Sequence, residues 1–176
     1  MTRFFLAGLF APLVLCGQDK ATDRLAPYFP TPDMIVERML RLGGLKAGEK
    51  MFDLGSGDGR IVIMAAQKFK SDATGIEFDD FLFKQSMDSI KSLGLSATAR
   101  IIHGDILKQD YSSADLVTVY LSLQSNEKLT PLLEKGLKPG TRVISHDFDF
   151  LAWKPEKVEE IEDSEGRKHR LFLYRR

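Results

Sequence analysis

The sequence predicts an α/β fold in which a mostly parallel sheet of seven strands ends in a C-terminal antiparallel hairpin. Short β-rich runs alternate with helical patterns along the chain, which is typical of parallel strands joined by crossover helices. A glycine-rich loop at residues 55–59 joins an apolar run to a helical pattern. Near the C-terminus, two β-rich runs flank the turn Asp163-Ser164-Glu165-Gly166, which predicts the hairpin.

The first elements are marked by their ends. Thr31 is a good N-cap residue and Pro32 suits the first helical position, so a helix is predicted over residues 32–42. Two glycines follow and end it. The apolar run at residues 50–54 predicts the first strand, and its glycine loop leads into a helix at residues 59–69.

The middle of the chain continues the alternation. Residues 73–78 predict the second strand, and residues 79–93 predict a helix that ends at Gly94. Residues 99–103 predict the third strand, which closes at the pair Gly104-Asp105.

The last third completes the sheet. Residues 115–121 are rich in β-branched and aromatic side chains and predict the fourth strand. A helix at residues 124–135 separates it from a fifth strand at residues 141–145. Residues 157–161 and 170–174 are the two strands of the hairpin. The carboxyl ends of the parallel strands should therefore form the ligand crevice.

The N-terminus differs from the rest of the chain. Arg3 precedes an unbroken apolar run from Phe4 to Cys16, about 13 residues long, with small or polar residues after it. This pattern indicates a secretory signal peptide or a short membrane anchor over residues 1–20, with the folded domain at residues 21–176. We expect this segment to direct membrane association or export. The folded domain is expected on the cytoplasmic side if it depends on a cofactor made in the cytoplasm.

Composition narrows the classes of partner. The 25 basic and 25 acidic residues balance, so no global field favours nucleic acid. One cysteine excludes an intramolecular disulfide framework and a cysteine-based zinc site. The histidines at 103, 146 and 169 are scattered and show no metal-ligand spacing. We therefore expect no metal and no nucleic-acid partner.

The glycine loop indicates a nucleotide-type ligand. The segment Asp53-Leu54-Gly55-Ser56-Gly57-Asp58-Gly59-Arg60 lets the backbone approach a ligand closely and opens a helix whose free N–H groups face the loop. A dinucleotide fingerprint requires a third glycine where Arg60 stands, and a phosphate-binding P-loop requires a lysine followed by serine or threonine. The sequence therefore disfavours a dinucleotide site, and with it a nicotinamide-dependent oxidoreductase. It equally disfavours a P-loop.

The pattern D-x-G-x-G-x-G from Asp53 to Gly59 resembles motif I of the class I methyltransferases, which use S-adenosylmethionine (SAM). This resemblance covers about residues 27–176 and implies a Rossmann-like seven-stranded methyltransferase sheet with a C-terminal antiparallel hairpin. SAM carries a sulfonium and an ammonium group but no phosphate, so an acidic residue at the strand end suits it. The resemblance implies that Asp53, Gly55 and Gly57 bind SAM.

Two further acidic residues end strands of the predicted sheet. Glu77 lies about 20 residues beyond the glycine loop, where an acidic side chain can accept hydrogen bonds from ribose hydroxyls. The resemblance implies that Asp105 accepts a hydrogen bond from the adenine amino group and that Ile106 packs on the face of the adenine ring. Asp105 is also a plausible turn or N-cap residue, and Ile106 a plausible core residue.

A second group of segments resembles one subgroup, the small protein-lysine methyltransferases related to the mitochondrial enzyme that modifies the ATP-synthase c-subunit. The segments are Pro27-Tyr28-Phe29-Pro30-Thr31-Pro32, Tyr120-Leu121 and Leu137-Lys138-Pro139-Gly140-Thr141-Arg142-Val143-Ile144-Ser145-His146. The resemblance implies that the proline-threonine segment, with Thr31, covers the methionine end of SAM. It also places Tyr120 where the family presents its catalytic, substrate-facing motif.

These observations predict a SAM-dependent methyltransferase that acts on a protein lysine, including lysines of membrane proteins. Strand 115–121 is not followed by Asn-Pro-Pro-Tyr, the signature of methylation on nucleic-acid bases and glutamine. A methyltransferase of small molecules and a SAM-binding protein without transfer activity are the alternatives. His146 at the end of the fifth strand is a conceivable general base but more often structural, and Asn126 is either a polar contact or a surface residue.

Overall fold

The computed structural model describes residues 25–176, so the N-terminal segment at residues 1–20 lies outside the described part. In chain order the elements are α1 (Asp33–Leu42), β1 (Lys50–Leu54), α2 (Arg60–Phe69), β2 (Asp72–Glu77), α3 (Asp80–Ser92), β3 (Ala99–His103), a 3-10 turn (Ile106–Lys108), β4 (Leu116–Val119), α4 (Leu123–Gly136), β5 (Arg142–His146), β6 (Lys157–Glu162) and β7 (Lys168–Arg175). No helix within residues 25–176 is long and apolar enough to cross a membrane.

The strands form one seven-stranded sheet in the order β3-β2-β1-β4-β5-β7-β6. Strands β1 to β5 are parallel, whereas β7 runs antiparallel to both β5 and β6. The predicted fold class, including the C-terminal hairpin, is confirmed. Strands β1 and β3 have their predicted bounds, and the other elements differ by one or two residues at their ends.

Helices cover both faces of the sheet. On one face, α1, α2 and α3 bury apolar residues such as Ile35, Val62 and Ile90 against the strands. On the other face, α4 buries Leu129 and Leu133 in a second cluster. The parallel strands are therefore buried on both sides, as expected for continuous apolar strands in an α/β sheet.

Strand β1 lies at the point where the order of the sheet reverses. It pairs with β2 on one side and with β4 on the other. The crossover connections leave this point in opposite directions, which opens a crevice at the carboxyl ends of the strands. The glycine loop after β1 therefore forms the floor of that crevice.

Thr31 does not cap the first helix as predicted. Helix α1 begins at Asp33, its N-cap is Pro32, and no side chain bonds to its first N–H groups. The Thr31 hydroxyl instead lies 3.3 Å from Nδ1 of His146, and its carbonyl accepts from Arg60. Local preference favoured a cap, but contacts from distant strands fixed this side chain elsewhere.

Candidate functional site

A cleft of about 940 Å³ opens at the carboxyl ends of β1, β2 and β4. This space includes the part of the cleft that is open to solvent. All eight residues selected from the sequence line it: Thr31, Asp53, Gly55, Gly57, Glu77, Asp105, Ile106 and Tyr120. Tertiary structure therefore brings together positions that are separated along the chain.

The glycine loop holds its ligand-facing backbone in a left-handed conformation. Gly55, Gly57 and Gly59 have φ angles of 79°, 56° and 80°, which other residues rarely adopt. The Gly57 N–H donates to Oε2 of Glu77 at 2.7 Å. The loop is therefore shaped by its glycines and anchored to the end of β2.

Glu77 is fixed by two backbone donors. Its Oε2 accepts from Gly57, and its Oε1 accepts from the N–H of Asp79 at 2.7 Å. The residue is buried at the base of the cleft. Each carboxylate oxygen has a further lone pair, so the side chain can still accept hydrogen bonds from a ligand.

Asp53 is a buried carboxyl group with one unsatisfied oxygen. Its Oδ1 accepts from the Thr118 hydroxyl at 2.7 Å, whereas Oδ2 has no hydrogen-bond partner within residues 25–176. Burial, together with the nearby charges of Glu77 and Asp58, raises the pKa of Asp53 to about 7, although the Thr118 bond opposes this shift. A cationic ligand group beside Oδ2 would compensate for the buried charge.

Asp105 and Ile106 have the structural roles that the sequence left open for them, and both also line the cleft. Oδ1 of Asp105 accepts from the N–H of Leu107 at 2.9 Å and so caps the 3-10 turn. Ile106 is buried in the second apolar cluster. Both residues nevertheless line the cleft, so structural and ligand-binding roles are compatible at these positions.

The proline-rich segment at residues 27–32 folds over the cleft and is held by Arg60. Nη1 of Arg60 donates to the Thr31 carbonyl at 2.9 Å, and Nη2 pairs with Asp58 Oδ2 at 2.7 Å. Although burial favours the neutral acid, this guanidinium holds the pKa of Asp58 below its usual value. These contacts of Arg60 were not predicted from the sequence. The feature that could have indicated them is a cationic residue in the first turn of a helix, where the helix dipole disfavours positive charge.

Tyr120 forms one wall of the cleft and packs on His146. The ring centroids are 3.9 Å apart, and the Tyr120 hydroxyl donates to Asp147 Oδ2 at 3.4 Å. Burial and the Asp147 carboxylate raise the pKa of Tyr120 to about 12. The phenol is therefore neutral at physiological pH and cannot serve as a ready general base.

His146 lies behind Tyr120 and does not line the cleft. It is fully buried, and this burial lowers its pKa to about 4. Asn126 fits neither expectation, because it is buried and its amide donates to the carbonyls of Phe148 and Asp149. It thus fixes the loop after β5 rather than meeting solvent or ligand.

Comparison with known families identifies the chain. The family model of the ANTKMT methyltransferase domain matches residues 53–157, from the glycine loop to the start of β6. The chain belongs to this family. It is thus a SAM-dependent methyltransferase.

Relatives and solved structures agree with this assignment. A protein-lysine N-methyltransferase of Saccharolobus islandicus is 41% identical over 84% of this methyltransferase and 92% of the relative. The human lysine N-methyltransferase of the ATP-synthase c-subunit is 31% identical over 75% of this chain, which spans only 56% of that relative. A Salinibacter ruber structure described as an RNA methyltransferase in complex with S-adenosyl-L-homocysteine is 40% identical. It aligns with a TM-score of 0.76 and covers 82% of this chain and 93% of its own.

The residues of the cleft fit SAM. Asp53 offers an unpartnered buried carboxylate oxygen, which suits a cation. Glu77 retains acceptor capacity for hydroxyl groups, and the loop itself carries no side chain at residues 55, 57 and 59. Among the described residues that line the cleft, Arg60 is the only cationic one, and its guanidinium is engaged by Asp58 and by the Thr31 carbonyl.

We expect SAM affinity to increase with pH until about pH 7. Without the cofactor the Asp53 carboxyl titrates near 7, and cationic SAM favours its charged form, so binding releases a proton below that pH. The slope should reach at most about tenfold in affinity per pH unit. Calorimetric titration of SAM between roughly pH 6 and 8 would measure it.

The matched variant is Asp53→Asn, whose carbonyl can still accept from Thr118. It should weaken SAM binding and remove this component of its pH dependence. Because the pKa of Asp53 is higher in the folded protein than in the unfolded chain, protonated Asp53 stabilises the fold. This contribution is complete below pH 3.8, the pKa in the unfolded chain, and is lost as the pH rises to about 7. Cofactor-free Asp53→Asn should therefore melt above wild type at alkaline pH. An unchanged pH dependence of SAM affinity in the variant would exclude Asp53 as its origin.

Proposed function

We propose that this methyltransferase transfers the methyl group of SAM to the neutral ε-amino group of a lysine in a protein substrate. The amine forms the new N–C bond as the C–S bond breaks, S-adenosylhomocysteine leaves, and the amine proton passes to solvent. The observation that carries the proposal is the 41% identity to a protein-lysine N-methyltransferase across nearly the whole length of that relative. The aromatic lining supports it, since Tyr28, Phe29 and Tyr120 all face the cleft. Aromatic rings attract a cationic amine and keep it away from water.

We further propose that the cofactor is held by Thr31, Asp53, Gly55, Gly57, Glu77, Asp105 and Ile106. When bound, SAM supplies a methyl group on a positively charged sulfur. The chain itself supplies position and exclusion of water: Arg60 fixes the proline-rich cover, and Tyr120 bounds the opposite wall. Transfer to an amine needs the reacting groups aligned in a dry channel, and this alignment is the contribution expected of the protein.

A second candidate substrate is RNA, because the Salinibacter ruber relative is described as an RNA methyltransferase. Two observations favour protein over RNA. Acidic and basic residues balance in this chain, so it lacks the overall positive charge typical of nucleic-acid binding. The residues after β4 read Tyr120-Leu121-Ser122-Leu123 and carry no base-methylating signature.

The deciding experiment is transfer of radiolabelled methyl from SAM to extracts of the native cell. Parallel samples are pretreated with ribonuclease or with protease, and labelled protein is digested to locate the modified residue. Label that survives ribonuclease and lies on lysine supports the proposal. Label lost with ribonuclease favours RNA, label in small molecules favours that alternative, and SAM binding without any transfer favours a binding protein.

We also propose that the enzyme works beside a membrane, with its catalytic domain on the cytoplasmic side and a membrane protein among its substrates. The apolar run at residues 4–16 supports this. So do two phenylalanines that line the cleft, Phe29 and Phe78, which expose 54% and 47% of their surface. N-terminal sequencing of protein from the native cell, with protease accessibility in intact cells, tests it. A soluble, externally accessible form with a mature start near Gln18 would contradict it.

A further inference from the structure

Two of the three histidines meet an aspartate behind Tyr120. His146 ends β5, and its register partner on the antiparallel strand β7 is Leu171. His169 lies two residues before Leu171 and therefore projects from the same face of the sheet. Asp147 follows His146 directly, so three potential metal ligands converge on one point at the sheet surface.

The three facing atoms form a nearly regular triangle. His146 Nε2 lies 2.9 Å from His169 Nδ1 and 3.4 Å from Asp147 Oδ2, and His169 Nδ1 lies 3.7 Å from Asp147 Oδ2. Ligands of a tetrahedral zinc ion lie about 2.1 Å from the metal, which separates any two of them by roughly 3.4 Å. The observed separations bracket that value.

The outer nitrogen of each histidine already faces an oxygen. Nδ1 of His146 lies 3.3 Å from the Thr31 hydroxyl, and Nε2 of His169 lies 3.1 Å from Oδ2 of buried Asp163. Metal-ligating histidines usually donate their second N–H to such an oxygen, which selects the tautomer and fixes the ring. The inner nitrogens are then free to bind a cation.

Asp147 is strained in a way that directs its carboxylate toward the histidines. Its φ angle is 59°, in the left-handed region that non-glycine residues avoid. Oδ1 accepts from the N–H of Arg170 at 2.9 Å, and this bond turns Oδ2 toward the two rings. At 28% side-chain exposure, Asp147 also gives the cluster access to solvent.

Hydrogen bonding alone explains only part of this cluster. A bond from one imidazole to the other accounts for the 2.9 Å contact. It leaves Asp147 Oδ2 with long contacts only: the Tyr120 hydroxyl donates to it at 3.4 Å, and the nitrogens of His146 and His169 lie 3.4 and 3.7 Å away. A cation at the centre of the triangle would bind this oxygen and both inner nitrogens.

We propose that His146, His169 and Asp147 form a binding site for a divalent transition-metal cation, with Zn²⁺ as the preferred ion. Two imidazoles and one carboxylate are a known set of three protein ligands for a tetrahedral zinc ion, and water takes the fourth position. The ion joins β5 to β7 directly behind Tyr120. Since Tyr120 packs on His146 and bonds to Asp147, the ion fixes that wall of the cleft.

The test is a zinc titration of the untagged full chain, stripped with chelator, in competition with a chromophoric zinc indicator. Wild type should bind one equivalent of Zn²⁺. Asp147→Asn and His169→Gln should each weaken binding by roughly 100-fold or more, since even outer-shell partners of metal ligands account for about 10–100-fold. Asparagine tolerates the left-handed backbone and can still accept from Arg170, so this variant removes little but the ligand charge.

His103→Asn is the matched control, because His103 is the third histidine of the chain and stacks on Phe83 at the far side of the sheet. Its zinc affinity should equal that of wild type. Circular dichroism and melting curves show that each variant is folded. Substitution of Co²⁺ gives an independent readout, since a tetrahedral site produces a visible absorption band. Absence of saturable binding in wild type, or binding unchanged in both ligand variants, would overturn the proposal.

Discussion

Replacing Gly57 with alanine should abolish the rise in melting temperature that SAM or S-adenosylhomocysteine gives the wild-type protein. The new Cβ would lie 2.8 Å from Cε2 of Tyr28, and the alanine would have to adopt the left-handed φ of 56°. The side chain would push Tyr28 and the cover of the cleft outward and disturb the Gly57–Glu77 hydrogen bond. We expect at least roughly 100-fold weaker binding, which removes the ligand-induced shift at moderate ligand concentration.

Gly94→Ala is the matched control for this experiment. Gly94 also has a left-handed backbone, with a φ of 68°, but within residues 25–176 no atom lies within 4 Å of the place where its Cβ would stand. Both variants therefore carry the same conformational penalty of about 1–2 kcal/mol, and only Gly57→Ala crowds the cleft. Equal SAM affinity in the two variants would show that the close approach at Gly57 does not control binding.

Tyr120→Ala should reduce methyl transfer by roughly 100-fold while SAM affinity changes little. Removing the ring takes away one wall of the cleft and the surface that packs on His146 at 3.9 Å between centroids. The reacting amine would then be poorly aligned and exposed to water. Single-turnover transfer to the labelled substrate, together with a calorimetric SAM titration, separates the two effects.

Tyr120→Phe distinguishes the ring from the hydroxyl. The phenylalanine keeps the stacking on His146 but loses the bond to Asp147 Oδ2. Because the phenol is neutral and acts here as a wall, we expect transfer within roughly tenfold of wild type, well above Tyr120→Ala. A phenylalanine variant as slow as the alanine variant would instead assign the effect to the hydroxyl. Full activity in Tyr120→Ala would exclude Tyr120 from catalysis.

The residues that line the cleft were largely predictable because the determinants of their positions are local. Gly55 and Gly57 need a conformation that the residue type itself reveals, and Glu77 lies at a strand end that the apolar pattern defines. In parallel sheets such strand ends meet at one edge. All eight selected residues consequently line the same cleft. The role of Arg60 in holding the proline-rich segment was not predicted, because it depends on the carbonyl of Thr31, which is 29 residues away in the sequence.

The sequence by itself determined the seven strands, the glycine loop, the C-terminal hairpin and the acidic and glycine residues that line the cleft. Each of these depends on residue preferences and periodicities within a short window.

Only the tertiary structure decided what surrounds Tyr120. His146 and His169 are 23 residues apart, and Thr31 is 115 residues from His146, yet the three contact one another in a row. Alternation along a strand indicates which face a side chain occupies but not which strand lies beside it or in what register. Likewise, the pKa of Asp53 depends on burial by residues from several elements, which no single segment of the chain encodes.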